Sequence, residues 1–464
     1  MSNPSAVRYE SGWPRRAGPA IDVCAMLALS VCVFALIADP LLTFVEYADQ
    51  RTVSSTMDPS WDTRVFWPTV AALSMLLGVQ NRARLSKLAW SPPIICLFIY
   101  LAFAGASVVW AFSPGSSFVR YIQQVMVVTS IALPAALAAR TVDIMRGLFL
   151  CFAFALTLNL VFVLNGSVTI ADYGKRAVDI GYEGYFLGKN YLGECAAVAL
   201  LLALNEVCHR GWRRVFGIVI VAIAVLLTLL SDSKTALGLA IICPFLTLFT
   251  LIIRKLTRMS PATILSCIPL CYMAVSSVSH FNMNRISYIL YGDPTLTGRT
   301  IIWAFVQREI DLRPFMGWGY QSFWLVPNSP AYTEAPGWVK MMPNAHNGYY
   351  DTTLELGHIG LALLLVVIIA TLHGIGRVAD RDPARARLLL SVALFIVCYN
   401  YFESLWMRGF EFLWVVFIFV VVDVNRCLQP LPLRRATRRS KSPRQRGTGA
   451  LPKAHAYRLY AGLS

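Results

Sequence analysis

The side chain best suited to proton transfer is His346, in Pro343-Asn344-Ala345-His346-Asn347-Gly348-Tyr349. Imidazole takes up a proton near neutral pH more readily than any other side chain. Two readings stand: His346 as a general base, or His346 and Asn347 as the cap of a helix beginning near Gly348. His358, about three turns deeper, reads as a packing or hydrogen-bonding residue. Four further groups carry charge or polar atoms. Arg299 has the planar fork that suits phosphate oxygens, and is otherwise a solvated charge on an interfacial helix. Lys234, in Ser231-Asp232-Ser233-Lys234-Thr235, is wedged between two apolar stretches, where a cation is costly without a partner. That partner is either an anionic substrate group or Asp232. Lys189 and Asn190 open a helix in Gly188-Lys189-Asn190-Tyr191-Leu192-Gly193-Glu194, and a helix N-terminus suits an anion. A basic residue at a membrane interface is the commonplace alternative. Glu403, in Tyr399-Asn400-Tyr401-Phe402-Glu403-Ser404, has Arg408 and Glu411 close by, so a structural Glu403 to Arg408 pair is its alternative. The set amounts to one base, several cations and several carboxylates, none specific alone.

The elements that must position these groups are membrane helices. A chain of 464 residues that is 57% hydrophobic and 14% charged, with a mean hydropathy of +0.58, is too apolar for an ordinary water-facing surface. Apolar stretches of about 18 to 25 residues recur, each long enough to carry a helix across a ~30 Å hydrocarbon core. A membrane β-barrel would alternate along each strand, whereas Leu361 to Ala370 is apolar at every register. The expected fold is all-α and polytopic, with about twelve transmembrane helices beginning near residues 21, 65, 89, 118, 146, 189, 214, 234, 261, 348, 386 and 410. The first stretch, Ile21 to Ala38, reads as a retained helix rather than a cleaved signal.

Basic residues cluster on alternate connections: Arg82, Arg84 and Lys87; Arg210, Arg213 and Arg214; Arg254, Lys255 and Arg258; Arg377, Arg381, Arg385 and Arg387. The positive-inside rule then makes both termini cytoplasmic. The net charge is +16, and Arg426 to Ser464 supplies ten Lys/Arg with no acidic residue. That tail is an orientation signal with an attraction to membrane lipid, and no nucleic-acid partner is expected. The 11 cysteines lie in apolar stretches or on the basic side, so single thiols are expected rather than disulfides. The domain reading is a cytoplasmic segment 1–20, a membrane domain 21–425 that includes a large outer loop 281–347, and a basic tail 426–464.

The large loop concentrates the chemistry, since long ordered loops are usually functional. Thr297 is placed to cap a short helix running to about Asp311, with Pro314 as its stop. Ile301, Ile302 and Phe305 on one face, followed by Phe315, Trp318, Tyr320, Phe323 and Trp324, put that helix along the membrane interface.

Taken together, Gly188-Lys189-Asn190-Tyr191-Leu192-Gly193, Ser231-Asp232-Ser233-Lys234-Thr235-Ala236-Leu237, Leu296-Thr297-Gly298-Arg299-Thr300-Ile301-Ile302-Trp303, Gly317-Trp318-Gly319-Tyr320, Ala345-His346-Asn347-Gly348-Tyr349 and Glu403-Ser404 resemble the O-antigen ligase and polysaccharide polymerase superfamily, in its exopolysaccharide polymerase branch. The ordered set covers about half the chain. The resemblance implies a GT-C-like membrane glycosyltransferase on the periplasmic face of the bacterial inner membrane, with an undecaprenyl-diphosphate-linked oligosaccharide as donor. It implies no cofactor, metal or nucleotide sugar, and it brings chain-length regulators and export proteins as partners. By the same resemblance His346 activates the acceptor hydroxyl and Arg299 engages the donor diphosphate. Lys234 stands where ligases usually have arginine, which keeps the charge, removes the fork and favours polymerase over ligase. Lys189, Asn190, Asn347 and Glu403 are supporting substrate-binding positions.

Attack by a sugar hydroxyl on an anomeric carbon needs a base for the incoming proton and stabilisation of the departing diphosphate. The rival readings are an O-antigen ligase passing glycan to lipid A core, a transporter or flippase of lipid-linked glycans, and a membrane scaffold. Transporters place polar groups and broken helices near the bilayer midplane, whereas here the polar candidates lie at one edge.

Overall fold

A computed structural model describes residues 22–48, 61–166, 168–172, 178–186, 188–279, 288, 298–409 and 411–430. The N-terminal segment, the Glu46 to Asp62 connection between residues 49 and 60, Thr297, His280 and the tail from residue 431 lie outside the described residues.

Helices stand at each expected start. They are α1 (Val23–Val33), continued through a π-turn (Phe34–Ala38) into α2 (Asp39–Ala48); α3 (Trp61–Gln80); α4 (Pro92–Ala106); α5 (Pro114–Leu137); α6 (Ile144–Leu164); α7 (Lys189–Val207); α8 (Trp212–Leu230); α9 (Lys234–Thr257); and α10 (Pro261–Ser279). After the large loop's α11 (Arg299–Leu312) come α12 (Gly348–Ala379), α13 (Pro383–Tyr399) and α14 (Phe412–Leu428). Among the described residues, seven helices are long and apolar enough to cross a membrane, and the chain is a multi-pass, predominantly helical membrane protein. The main unit runs to Gln429, and the tail from Pro430 to Ser464 is a separate unit. α14 continues to Leu428.

The surface tells which solvent the helices face. Val215, Ile218, Val219, Leu226 and Leu229 on α8, and Ile241, Ile242, Phe245, Phe249 and Ile252 on α9, are exposed. Whole apolar stripes in the open mean a hydrocarbon surround. The opposite extreme is α14, where every residue from Phe412 to Asn425 is buried. Lipid tails supply no hydrophobic drive between helices, so close packing of small residues must hold them together. On α7, Gly193, Ala196, Ala197 and Ala199 are buried, and a Cβ on Gly193 would come within 2.6 Å of Ser233 Cβ.

Among the described residues, the fold departs from all-α in one place. An antiparallel hairpin, β1 (Val168–Asp172) and β2 (Val178–Tyr182), pairs Val168 with Tyr182 and Asp172 with Val178. Valines, threonine and isoleucines give these segments their strand preference. The hairpin covers the start of α7, since a Cβ on Gly181 would strike Lys189 Cδ and the Ser231 carbonyl at 2.6 Å.

One face of α11 packs on the large loop itself. Ile302, Phe305, Val306 and Ile310 are buried with Trp318, Phe323 and Trp324 in a second, smaller core. Its buried face also includes Glu309, while Ile301 and Phe315 are exposed. Trp318, Phe323 and Trp324 thus pack the large loop on itself. Gly298, in the left-handed region at φ 87°, occupies the N-cap position one residue beyond the expected Thr297.

α12 is broken at Gly357 (φ 67°, ψ −173°). The break frees two donors and two acceptors, and the loop segment 314–319 takes all four. His358 N donates to Pro314 O at 2.8 Å and Ile359 N to Phe315 O at 3.4 Å, while Leu354 O and Glu355 O accept from Trp318 N and Gly319 N at 2.9 and 2.8 Å. Gly317 and Gly319 hold positive φ, and a Cβ on Gly317 would meet Glu355 carbonyl carbon at 2.5 Å, which gives the Gly317-Trp318-Gly319 sequence its physical reason. At 1.5 Å per residue, the portion after the break is about 33 Å long and spans a hydrocarbon core unaided. The short portion before it carries the candidate site.

Candidate active site

Three segments distant in sequence meet at the Glu403 carboxylate, which lies in the turn after α13. Its Oε1 accepts from Arg299 Nη2 at 2.8 Å and from Asn190 Nδ2 at 3.3 Å. Its Oε2 lies 2.9 Å from His346 Nδ1. Arg299 is the first residue of α11, Asn190 the second of α7, and His346 the residue before the N-cap of α12. The side chains of Arg299, Glu403 and His346 are 17%, 19% and 31% exposed, shielded yet reachable.

Burial alone would push the Glu403 carboxyl up; the His346 hydrogen bond and the Arg299 charge outweigh it and hold the group below its ordinary value. An ionised carboxylate only accepts, so the proton on the imidazole belongs on Nδ1, leaving the Nε2 lone pair outward. A carboxylate placed in this way fixes the tautomer and would stabilise an imidazolium.

The backbone around His346 is over-determined. His346 sits at φ 48°, a left-handed conformation costing about 1–3 kcal/mol for a residue with a Cβ. His346 N donates to Asn344 Oδ1 at 2.9 Å. The preceding Ala345 gives its N–H to the Asp351 carboxylate at 3.2 Å and accepts from Trp303 Nε1 at 3.0 Å. Gly348 N donates to Asn400 O at 2.8 Å and Glu403 O at 3.1 Å, and a Cβ there would strike Asn400 Oδ1 at 2.4 Å. Thus α12 and the turn bearing Glu403 lock to each other directly beneath the His346 and Glu403 pair.

The structure separates His346 from Asn347. Asn347 is 1% exposed; its Oδ1 accepts from Tyr349 N and Tyr350 N, and its N–H donates to Ser404 Oγ at 2.9 Å. It is the helix cap, and its side-chain oxygen faces its own helix. His346 has no part in that cap. His358 Nδ1 donates to Pro314 O at 2.6 Å, within the junction at the helix break.

One alternative pairing is replaced. Arg408 bonds Glu355 at 2.9 Å and Asp351 at 3.2 Å, not Glu403. Asp232 pairs at 3.6 Å with Lys189. Lys234 is exposed at the first residue of α9, on the turn that packs against Gly193 of α7. Tyr191 completes the local network by donating to Glu411 Oε1 at 3.3 Å.

Asp351 was not singled out from the sequence, yet it accepts from Trp324 Nε1 at 2.7 Å, from Ala345 N and from Arg408. An acidic residue in the first turn of a membrane helix was its available signal. Trp303 and Ser404 were visible as motif residues without a role; both bond backbone beside His346.

Residues 218–365 match the family model described as O-antigen ligase. The exopolysaccharide production protein ExoQ of Rhizobium meliloti is 28% identical over 312 residues, 62% of this chain and 67% of that protein. Putative polysaccharide ligases of Rickettsia felis and Rickettsia prowazekii are each 29% identical, over 122 and 120 residues. Those matches cover about a quarter of this chain and 30% and 29% of the ligases. The family match includes Lys234, Arg299 and His346 and stops before Glu403.

Proposed function

From the chain's membership of the O-antigen ligase and polysaccharide polymerase superfamily, we propose that it is a membrane glycosyltransferase that joins lipid-linked oligosaccharide repeat units into exopolysaccharide. The observation that carries this reading is the Arg299, Glu403 and His346 cluster, a phosphate-suited cation and an oriented base sharing one carboxylate. In the proposed reaction His346 Nε2 takes the proton of an acceptor sugar hydroxyl as its oxygen attacks the anomeric carbon of the donor. Arg299 presents a five-donor guanidinium of which Glu403 takes one contact. With Lys234 and Lys189 it supports the departing diphosphate, while Asn190 helps hold the carboxylate.

The finer reading places all twelve helical segments across the bacterial inner membrane, both termini in the cytoplasm and the large loop in the periplasm. The donor is undecaprenyl-diphosphate-linked, with chain-length regulators and export proteins as partners. A polyprenyl tail needs a groove open to lipid and the sugar needs water, which supports a transferase built at the membrane edge. The break in α12 does not favour a transporter, because the segment beyond it is long enough to span by itself.

The test is elongation of a lipid-linked oligosaccharide by the purified, reconstituted protein, comparing wild type with His346→Ala and following product length. A ladder in wild type that is lost in a folded variant supports the proposal. A ladder in both returns His346 to a structural role. A ligase reading is favoured by the family description and the Rickettsia names. Transfer to a lipid A core acceptor without a ladder would select it.

A further inference from the structure

A second polar cluster lies at the far end of α12 from His346. There a lateral groove opens between α4, α10 and α12, lined by His373, Arg377, Ser260, Thr263 and Ser266 above an apolar wall that includes Val366 and Ile369. His373 and Arg377 are one turn apart on α12, both exposed, and among the described residues neither has an ion-pair partner. The acidic group nearest in sequence, Asp380, is engaged by Arg254 at 2.7 Å. Two helices begin at the groove, α4 with Pro92 and α10 after Ser260, whose Oγ accepts from Thr263 N at 3.1 Å. Their N-terminal ends add positive potential to that of Arg377.

The layering of these groups says what fits. His373 and Arg377 lie in the last two turns of α12 and the hydroxyls at the start of α10, while Val366 and Ile369 are one to three turns deeper on α12 and each 47% exposed. A free anion would use the upper layer and leave the apolar wall bare. An amphiphile with an anionic head and an acyl chain would cover both.

We propose that this groove is a binding site for an anionic phospholipid of the leaflet opposite the His346 site. The phosphodiester is held by Arg377, His373 and the α10 hydroxyls, and an acyl chain lies on Val366 and Ile369. The proposal is independent of the reaction performed at Glu403.

The test is native mass spectrometry of the full-length protein in neutral detergent, titrated with dioleoyl phosphatidylglycerol, dioleoyl phosphatidylcholine or inorganic phosphate. Phosphatidylglycerol should bind saturably and at least about tenfold more tightly than phosphatidylcholine. Arg377→Gln should weaken it about fivefold, the usual effect of one basic residue at a charged membrane surface. Ala370→Trp, which fills the groove without altering charge, should weaken it too. Arg387→Gln, outside the groove, should leave it unchanged. Equal binding of the two lipids, or unchanged binding in both groove variants, overturns the site. Displacement of the lipid by millimolar phosphate overturns the lipid assignment in favour of a free-anion site.

Discussion

Replacing Glu403 with glutamine keeps the shape of the side chain and removes its charge, so it isolates what that carboxylate does. The loss falls on two charge-assisted hydrogen bonds, 2.8 Å to Arg299 and 2.9 Å to His346, each typically about 1.5–3 kcal/mol. For catalysis the relevant loss is control of the imidazole. An amide offers no charge to stabilise an imidazolium and can present N–H to Nδ1, turning the ring to the wrong tautomer. The corresponding exchange in hydrolase triads lowers kcat about 10⁴-fold. Here the imidazole is 31% exposed and water compensates in part, so a loss of about 10²–10³ is expected, or about 2.7–4 kcal/mol. Initial rates of elongation in reconstituted vesicles, with donor varied, should show the loss mainly in kcat. His346→Ala should cost a similar factor, and the double variant little more than either single, because the two groups act as a unit. A folded Glu403→Gln protein within about threefold of wild type, or a double variant whose losses multiply, would refute the dyad.

Other outcomes follow from the same geometry. Arg299→Lys should lower kcat/KM about 10- to 100-fold in the same assay despite retaining charge, because the lysine cannot reproduce the fork; full activity would remove Arg299 from phosphate recognition. Arg408→Met strands two buried carboxylates, Glu355 and Asp351, and should destabilise by about 3–5 kcal/mol, read as a lowered Tm and faster proteolysis of the large loop. Gly357→Ala places a Cβ about 2.1 Å from Phe315 O at a positive φ, so the folded yield by size exclusion should collapse. For pH, the depressed carboxyl of Glu403 contributes stability that is fully present above the ordinary carboxylate value of 4.5 and lost as pH falls through its lower folded value. Thermal melts taken down through that acid range should therefore show a steeper acid loss in wild type than in Glu403→Gln.

Helix positions were legible because long apolar runs leave few alternatives in lipid, and each expected start has its helix. The short hairpin Val168–Tyr182 was not, since two five-residue strands give little periodic signal beside twenty-residue apolar runs. His346, Arg299, Glu403, Lys189 and Asn190 were recognisable by type and place. Their partners were not, because they come from segments as far apart as residues 190 and 403. The packing of α11 on its own loop was hidden for a related reason: a helix that packs on its own loop and one that lies on lipid show the same amphipathic stripe. Local sequence also left capping and catalysis as equal readings for His346, and the structure gives the cap to Asn347, whose Oδ1 accepts from Tyr349 N and Tyr350 N, while His346 meets Glu403.

The break at Gly357 bears on how the protein is made. Unsatisfied backbone groups in hydrocarbon cost several kcal/mol each, and four depend on the segment 314–319. That segment precedes α12 in the chain, so it is already synthesised when α12 enters the bilayer. Only the run after Gly357 can settle in lipid by itself, leaving the stretch from Gly348 to Leu356 at the surface until the loop docks on it. Biogenesis would then finish with a surface step that brings His346 to Glu403, and the protein would acquire its span before its candidate active site.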